Sequence, residues 1–196
     1  VPGSFYERLF PTQSIHLGVS TCALHWLSDA QCERDQLRLV TACPPELKRK
    51  ALQDWTQFLT NRAAEIAPGG QLLVTMVGRR RQDDSTSHHP LSLLRQAVAR
   101  LKREGLLQQR ACARALVPIY LRSIDDVAAP WLEPGSHLLH SFDIEYLDEC
   151  DVPCPYFEHY AHHGDLHRYA DDYTGFLRGF SEASIRRVVP HLRVHC

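Results

Sequence analysis

Apolar residues along this chain fall into two patterns, short continuous runs and stripes at three- and four-residue steps. The run Ile15-His16-Leu17-Gly18-Val19 has the length and composition of a short buried strand. Leu72-Leu73-Val74-Thr75-Met76-Val77 predicts the clearest strand, apolar on both faces like a central strand of a parallel sheet covered by helices. Between the two runs, Leu47, Ala51, Trp55, Phe58, Leu59, Ala63 and Ile66 form one stripe. They predict a long helix, opened by Pro44-Pro45 and ended by the turn Pro68-Gly69-Gly70. Helix, turn and buried strand together make an α/β unit of doubly wound type.

The later pattern is more helical. Leu94, Ala97, Val98 and Leu101 mark a helix from about Leu91 to Glu104, with Gly105 as its stop. Pro118-Ile119-Tyr120 reads as extended, and Ser123-Ile124-Asp125-Asp126 as a capping box for a short helix to Trp131. His137 to Tyr146 alternates in its second half, which predicts a strand with one wet face. Tyr169, Tyr173, Phe176, Leu177, Phe180, Ala183 and Ile185 mark a last helix, and Leu192-Arg193-Val194 the start of one more strand. Val1 to Pro11 reads as a loop leading into one helical turn, because Pro11 disfavours helix before it. Asp29 to Gln36 and Gln82 to His89 are polar loops, with His88-His89 at the surface, and Leu37 to Val40 a short extended piece.

Composition narrows the class. With 196 residues, 44% hydrophobic and 23% charged, the chain has the makings of one domain with a sizeable core. A net charge of −1 gives no electrostatic argument for nucleic acid or an anionic membrane surface. No apolar run approaches the ~20 residues that cross a bilayer. The opening Val1-Pro2-Gly3-Ser4 has no Met and no signal-peptide pattern, and starts in mid-pattern, so residues upstream are expected. Seven scattered cysteines, an odd number, point to reduced thiols and a cytoplasmic setting.

Candidate chemistry gathers after the first strand, in Ser20 to Ser28, Ser-Thr-Cys-Ala-Leu-His-Trp-Leu-Ser. Ligands of open α/β sheets bind at the carboxyl ends of strands. His25 and Trp26 both carry ring N–H donors, and Trp26 adds a broad apolar wall. The pair suits a small flat molecule with an anionic end; the alternative is an indole and an imidazole packed in a core. A second cluster, Cys150-x-x-x-Cys154 followed by His159, His162, His163 and His167, suggests an alternative zinc reading. Cys150, Cys154, His163 and His167 would be its ligands. Their gaps match no standard finger, and Pro153 and Pro155 can equally stiffen a loop, so the main expectation is no metal.

Several motifs, in order, resemble one family. Val-Pro-Gly-Ser-Phe-Tyr-x-Arg-Leu-Phe-Pro at Val1 to Pro11 and Leu-His-Trp-Leu-Ser at Leu24 to Ser28 resemble the SABATH methyltransferases. These S-adenosylmethionine-dependent enzymes are named for salicylic acid, benzoic acid and theobromine. Phe58-Leu59-x-x-Arg62-Ala63-x-Glu65-Ile66-x-Pro68-Gly69-Gly70, Gly78-Arg79-Arg80, Glu104-Gly105-Leu106, Pro118-Ile119-Tyr120 and Arg178-x-Phe180-x-Glu182 continue the likeness. It spans almost the whole chain but only the later part of the family's length.

The resemblance implies a Rossmann-like class I methyltransferase sheet, represented by its later strands, with a helical cap. One domain over residues 1–196 is expected, with cap helices mainly from 85–135 and 150–190. It implies that Ser4 and Phe5 touch the adenine side of S-adenosylmethionine. Trp26, with a side chain upstream of this chain, would hydrogen-bond the substrate carboxylate. His25 stands where the family varies to suit its substrate, and Tyr120, Leu177 and Phe180 match positions lining the aromatic pocket. Read from the residues alone, Phe5 is a buried ring beside a Pro-Gly turn, Leu177 and Phe180 are core stripe, and Tyr120 is a half-buried strand residue.

Three departures stand out. Cys22 replaces the family's pocket Tyr, which implies a wider or differently shaped pocket. Ala113-Arg114-Ala115-Leu116 replaces a stretch proposed to hold magnesium in plant members, and with no oxygen-bearing side chain left no magnesium is expected. The Gly-rich cofactor turn and the acidic residue that holds the ribose lie upstream of Val1 in the family, so the isolated chain is expected to be inactive.

Methyl transfer from a sulfonium to a carboxylate is an in-line displacement that requires no general base, since the acid is already ionised. The protein supplies position, with nucleophile and methyl ~3 Å apart in a dry pocket. No catalytic acid or base is therefore assigned; His25 and Trp26 orient. Were the acceptor a ring nitrogen, His25 would be placed to accept a proton. The expected partner is a small carboxylic acid, with no nucleic acid and no membrane, and a homodimer is the assembly left open. A non-catalytic acid-binding fragment and a zinc-stabilised interaction module are the alternatives.

Overall fold

In a computed structural model the described residues are 3–28, 45–79, 96–105 except 98 and 102, and 119–188, with side chains to 183. The expectations for 29–40, 82–95, 113–116, 118 and 192–194 lie outside them. The elements in chain order are β1 (Ile15–Thr21), α1 (Pro45–Glu65), β2 (Ile66–Thr75), α2 (Ile124–Leu132), a 3₁₀ turn (His137–His140), α3 (Pro155–His163) and α4 (Leu166–Val188). They fall into two compact units. The first takes in β1, α1, β2, α2 and the 3₁₀ turn; the second holds α3, α4 and the helical residues near 96–103.

The first unit is built on α1. Pro45 begins it, where a missing N–H costs nothing, and Glu46 and Arg62 complement the dipole at its two ends. Its apolar stripe is the observed buried face. Trp55, Phe58 and Leu59 join Tyr6, Leu24 and Leu138 in one core cluster, with Leu72, Val74, Met76, Val127 and Trp131 packed against it. The Trp55 and Phe58 rings stack at 5.7 Å, and the Trp55 indole donates to the Val127 carbonyl over 2.9 Å. Ala51, Leu27 and Tyr120, with Leu47, form a second cluster. Ser123 caps α2 as expected: its side chain accepts from the Asp126 amide, and the Asp126 carboxylate accepts from the Ser123 amide.

β1 and β2 are parallel neighbours, as an α/β unit requires, but two details differ from expectation. Pro68-Gly69-Gly70 does not end the helix. Helix α1 stops at Glu65, and Ile66 pairs at once with Ile15, so Pro68-Gly69-Gly70 lies inside β2. Between the pairs Ile15–Ile66 and Leu17–Gln71 the second strand runs ahead of the first, and this bulge absorbs the three residues, Gly69 at φ 77°. Nor are the strands buried on both faces. Leu72 and Val74 face the core, whereas Leu73 is 54% exposed and Leu17, Val19 and Val77 are exposed too. Among the described residues the sheet has two strands, so a helix covers one face and nothing covers the other.

His137 to Tyr146 is likewise not a strand. It forms the 3₁₀ turn and then irregular backbone, and among the described residues no strand pairs with it. In the second unit, α3 ends at Gly164 (φ 69°), whose N–H donates to the Tyr160 carbonyl. Tyr160 of α3 stacks on Tyr169 of α4 at 5.4 Å, and Tyr156 meets Tyr173 and Phe176. Gly105 follows the residues near 96–103 at φ 72°, the stop the sequence predicted. Among the described residues no helix is long and apolar enough to cross a membrane.

Candidate active site

β1 and β2 point their carboxyl ends the same way, and the chain beyond each is tied to one short segment. After Thr21, Cys22 turns sharply at φ 49°, with its N–H donating to the Thr75 carbonyl over 2.8 Å. A tight turn follows, in which the Trp26 N–H donates to Ala23. Trp26 then pairs antiparallel with Ile119, and the Tyr120 N–H donates to the His25 carbonyl over 2.8 Å. Beyond β2, Gly78 pairs with Arg122, so close that an added Cβ would sit 2.9 Å from the Arg122 carbonyl oxygen. The stretch Ile119 to Arg122 thereby laces the ends of both strands together.

His25 is 8% exposed, Trp26 half-buried, and their rings lie 5.8 Å apart. Burial, reinforced by the nearby Arg122 charge, lowers the His25 pKa, which favours the neutral imidazole. Its Nδ1 is buried without a hydrogen-bond partner among the described residues. Tyr120 is buried, and its hydroxyl donates to Asp126 Oδ2 over 3.0 Å. That carboxylate also takes the Ser123 amide, Arg79 at 3.0 Å and Lys48 at 3.3 Å. Burial pushes the Asp126 pKa up, but these donors outweigh it and hold the group below the usual carboxylate range. Cys22 is exposed at the edge of the turn. At the far end of the turn Ser28 is anchored to α1: its N–H and hydroxyl both donate to Asp54, at 2.9 and 2.7 Å.

Ser4 is exposed and Phe5 half-buried, its ring 4.5 Å from Tyr6. The last turns of α1 hold this loop by its backbone. Asn61 donates to the Tyr6 carbonyl, and Arg62 to the carbonyls of Phe5 and Glu7, at 2.7 to 2.9 Å. Glu65, 1% exposed, accepts from the amides of Leu9 and Phe10. Arg62 Nη2 donates to Glu65 Oε1 over 2.9 Å; Nε and Oε2 lie 2.8 Å apart but out of line, a contact of charge without a hydrogen bond.

The expected residues Ser4, Phe5, Cys22, His25, Trp26 and Tyr120 thus all lie in the first unit. Leu177 and Phe180 stand half-buried on α4 in the second, with Phe180 5.5 Å from Phe176. The zinc alternative is not assembled: among the described residues no three His, Cys, Asp or Glu side chains are grouped to hold a metal. His163 and His167 are exposed, and His163 pairs its ring with His159.

Sequence reasoning missed the buried charges Asp54, Arg62, Glu65 and Arg122. Polar residues beside an apolar stripe read as its wet side. The available signal was the spacing of Arg62 and Glu65, three apart and flanking the stripe, which lets them pair on one helix face.

Comparison with known proteins agrees with this architecture. A family model described as SAM dependent carboxyl methyltransferase matches residues 1–189. The chain is 32% identical to a salicylate carboxymethyltransferase of Clarkia breweri, over 76% of this chain and 45% of that protein. It is 32% identical to a jasmonate O-methyltransferase of Arabidopsis thaliana, over 76% of this chain and 43% of the relative. A 3,7-dimethylxanthine N-methyltransferase of Camellia sinensis var. assamica is 28% identical over 97% of this chain and 54% of its own length. The solved structure of a loganic acid methyltransferase with SAH superposes with a TM-score of 0.58 at 27% identity, covering 66% of this chain and 41% of that one. That likeness shows the expected α/β methyltransferase fold. The chain spans about half the length of the curated relatives it matches. By the match of residues 1–189, it belongs to the SAM dependent carboxyl methyltransferase family.

Proposed function

We propose that this chain is the later part of an enzyme that transfers the methyl group of S-adenosylmethionine to the carboxylate of a small aromatic acid. The observation that carries the proposal is the family match across residues 1–189. Its relatives include enzymes named for salicylate and jasmonate, both carboxylic acids. The geometry supports it: two ring donors, His25 and Trp26, sit on one turn at the carboxyl end of β1, where α/β sheets place ligands.

The first loop fits the cofactor. Phe5 is half-buried and Ser4 exposed, with the Ser4 hydroxyl accepting from the Tyr6 amide and its own O–H left to donate, a ring and a donor of the kind an adenine edge takes. Ser4 and Phe5 would hold it there, and the bound cofactor supplies the electrophilic methyl group. The chain's own residues then have positional work only. The Trp26 N–H orients the carboxylate, the neutral His25 shapes the pocket beside it, and Cys22 leaves room that a larger side chain would fill. Tyr120 is assigned to the pocket by the resemblance, its hydroxyl being engaged by Asp126 and its ring by the second core cluster. Leu177 and Phe180 on α4 are assigned to the acid's aromatic pocket by the resemblance alone.

We place the protein in the cytoplasm, with Cys22, Cys150 and Cys154 as free thiols, and allow a homodimer. The test is transfer of a radiolabelled methyl group by the full-length protein to a panel of aromatic and aliphatic acids. Labelled, base-labile ester on at least one acid is expected. Retained acid binding with no transfer to any acceptor would replace the enzyme with a binding protein.

A further inference from the structure

The turn that carries His25 and Trp26 has three successive carbonyls, and each is taken by a donor from a distant part of the first unit. Arg122 Nη1 donates to Leu24, the Tyr120 N–H to His25, and the Tyr6 hydroxyl to Trp26. Peptide planes are rigid, so fixing three carbonyl directions in a row fixes the Cα–Cβ directions between them. Those are the directions in which His25 and Trp26 project.

Neither side-chain donor is free to turn away. Arg122, 3% exposed, spends its second nitrogen on the Ala51 carbonyl of α1 at 2.7 Å, and its guanidinium carbon lies 5.9 and 5.8 Å from the centroids of the Trp55 and Tyr120 rings. Tyr6 is buried in the core cluster, and its own carbonyl is held by Asn61. Burial raises its pKa to about 12, partly offset by the Arg122 charge, so the hydroxyl keeps its proton at neutral pH.

We infer that Tyr6 and Arg122 are positioning residues, a clamp that fixes the aim of the His25–Trp26 turn and couples it to the Ser4–Phe5 loop through Tyr6. The aim matters for catalysis if the turn orients the substrate carboxylate, so that half of the inference rests on the function proposed above. In-line transfer is sensitive to sub-ångström placement. A turn held from two sides keeps the Cα–Cβ directions of both residues set before the acid arrives.

The test uses the full-length protein carrying Tyr6→Phe, which removes the hydroxyl and keeps the ring, and Arg122→Lys, which keeps the charge and loses the two-carbonyl grip. Amide hydrogen exchange is read at Trp26 and Tyr120, whose N–H groups close the turn and its bridge, and at Phe58 and Leu59 in α1. Loss of one hydrogen bond should speed exchange at Trp26 and Tyr120 about three- to ten-fold, and leave α1 unchanged. For the enzyme, kcat/KM for the acid should fall by a similar factor, with the KM for S-adenosylmethionine steady. Unchanged exchange at Trp26 and Tyr120, or equal acceleration in α1, overturns the clamp. Local acceleration with unaltered acid kinetics overturns its role in positioning. If wild-type protein methylates nothing, the methyltransferase reading fails, while the exchange comparison still decides the clamp.

Discussion

At the residue scale, Trp26 offers one N–H and a large ring, and the two are separable. Trp26→Phe keeps most of the bulk and removes the donor. Its backbone bonds to Ala23 and Tyr6 need no side chain and survive. A lost hydrogen bond to a charged group costs about 1.5–3 kcal/mol, so kcat/KM for the acid should fall about ten- to hundred-fold in the full-length enzyme. Thermal unfolding of the same sample should barely move; a lowered Tm with unchanged turnover would assign the ring to packing. Glu65 presents the opposite case, a buried charge with a structural job. Burial pushes its carboxyl up, but the Arg62 guanidinium and the Leu9 and Phe10 amides hold its pKa below the ordinary 4.5. The unfolded chain therefore binds this proton first. Its stabilisation is complete at neutral pH and is lost as the pH falls below about 4.5 through the folded value. Glu65→Gln removes the charge opposite buried Arg62 and should cost about 3 kcal/mol at pH 7. Denaturant titrations at pH 7 and at about pH 4 should show the gap between wild type and variant narrowing with acid; a constant gap would mean that Glu65 does not titrate with folding.

At the scale of elements, what was legible was what depends on near neighbours in the chain. The α1 stripe, the Ser123–Asp126 capping box and the Gly105 stop each follow from residues within a few positions, and each stands where the sequence puts it. What was not legible depends on pairing across the chain. Pro68-Gly69-Gly70 has the chemistry of a turn, but strand β1 pairs on both sides of it and makes it a bulge. The alternation from Ser141 to Tyr146 pairs with no strand among the described residues and is irregular backbone. Of the site, the His25–Trp26 turn was readable as a break after a strand; its three donors at Tyr6, Tyr120 and Arg122 were not, since no local pattern relates them. The bulge makes a prediction of its own. A Cβ on Gly70 would meet Ile66 Cγ2 at 2.7 Å and the Ala67 carbonyl at 2.9 Å, and backbone cannot yield cheaply. A Cβ on Gly69 meets nothing within 4 Å and carries only the strain of φ 77°. Gly70→Ala should therefore cost more, about 2–3 kcal/mol against about 1 kcal/mol for Gly69→Ala. At about 2–4 °C per kcal/mol in a chain of this size, the two melting temperatures separate by several degrees. The reverse order would place the bulge elsewhere.

At the scale of the molecule, the question is how much of a cofactor site these residues supply by themselves. The described part of the sheet has two strands with one face open, where Leu17, Val19, Leu73 and Val77 are exposed. A two-stranded sheet is marginal without further cover. The chain also accounts for 45% of the length of the salicylate enzyme it resembles and 43% of the jasmonate enzyme. On the cofactor side, Ser4 and Phe5 are the contacts the resemblance assigns. A ring face stacked on adenine contributes about 1–3 kcal/mol and one hydrogen bond about 0.5–1.5 kcal/mol. Together these reach about 4 kcal/mol, which corresponds to a Kd near 1 mM, whereas micromolar affinity requires about 8 kcal/mol. The resemblance implies that, in the family, a glycine-rich turn and an acid on the ribose add to these two contacts. We therefore expect the 196-residue chain, produced alone, to bind S-adenosylmethionine no more tightly than about 1 mM. Titration calorimetry on that chain beside the full-length protein measures the difference directly. Micromolar binding by the chain alone would mean that contacts beyond Ser4 and Phe5 lie within it, and would move the centre of the cofactor site onto other residues of these 196.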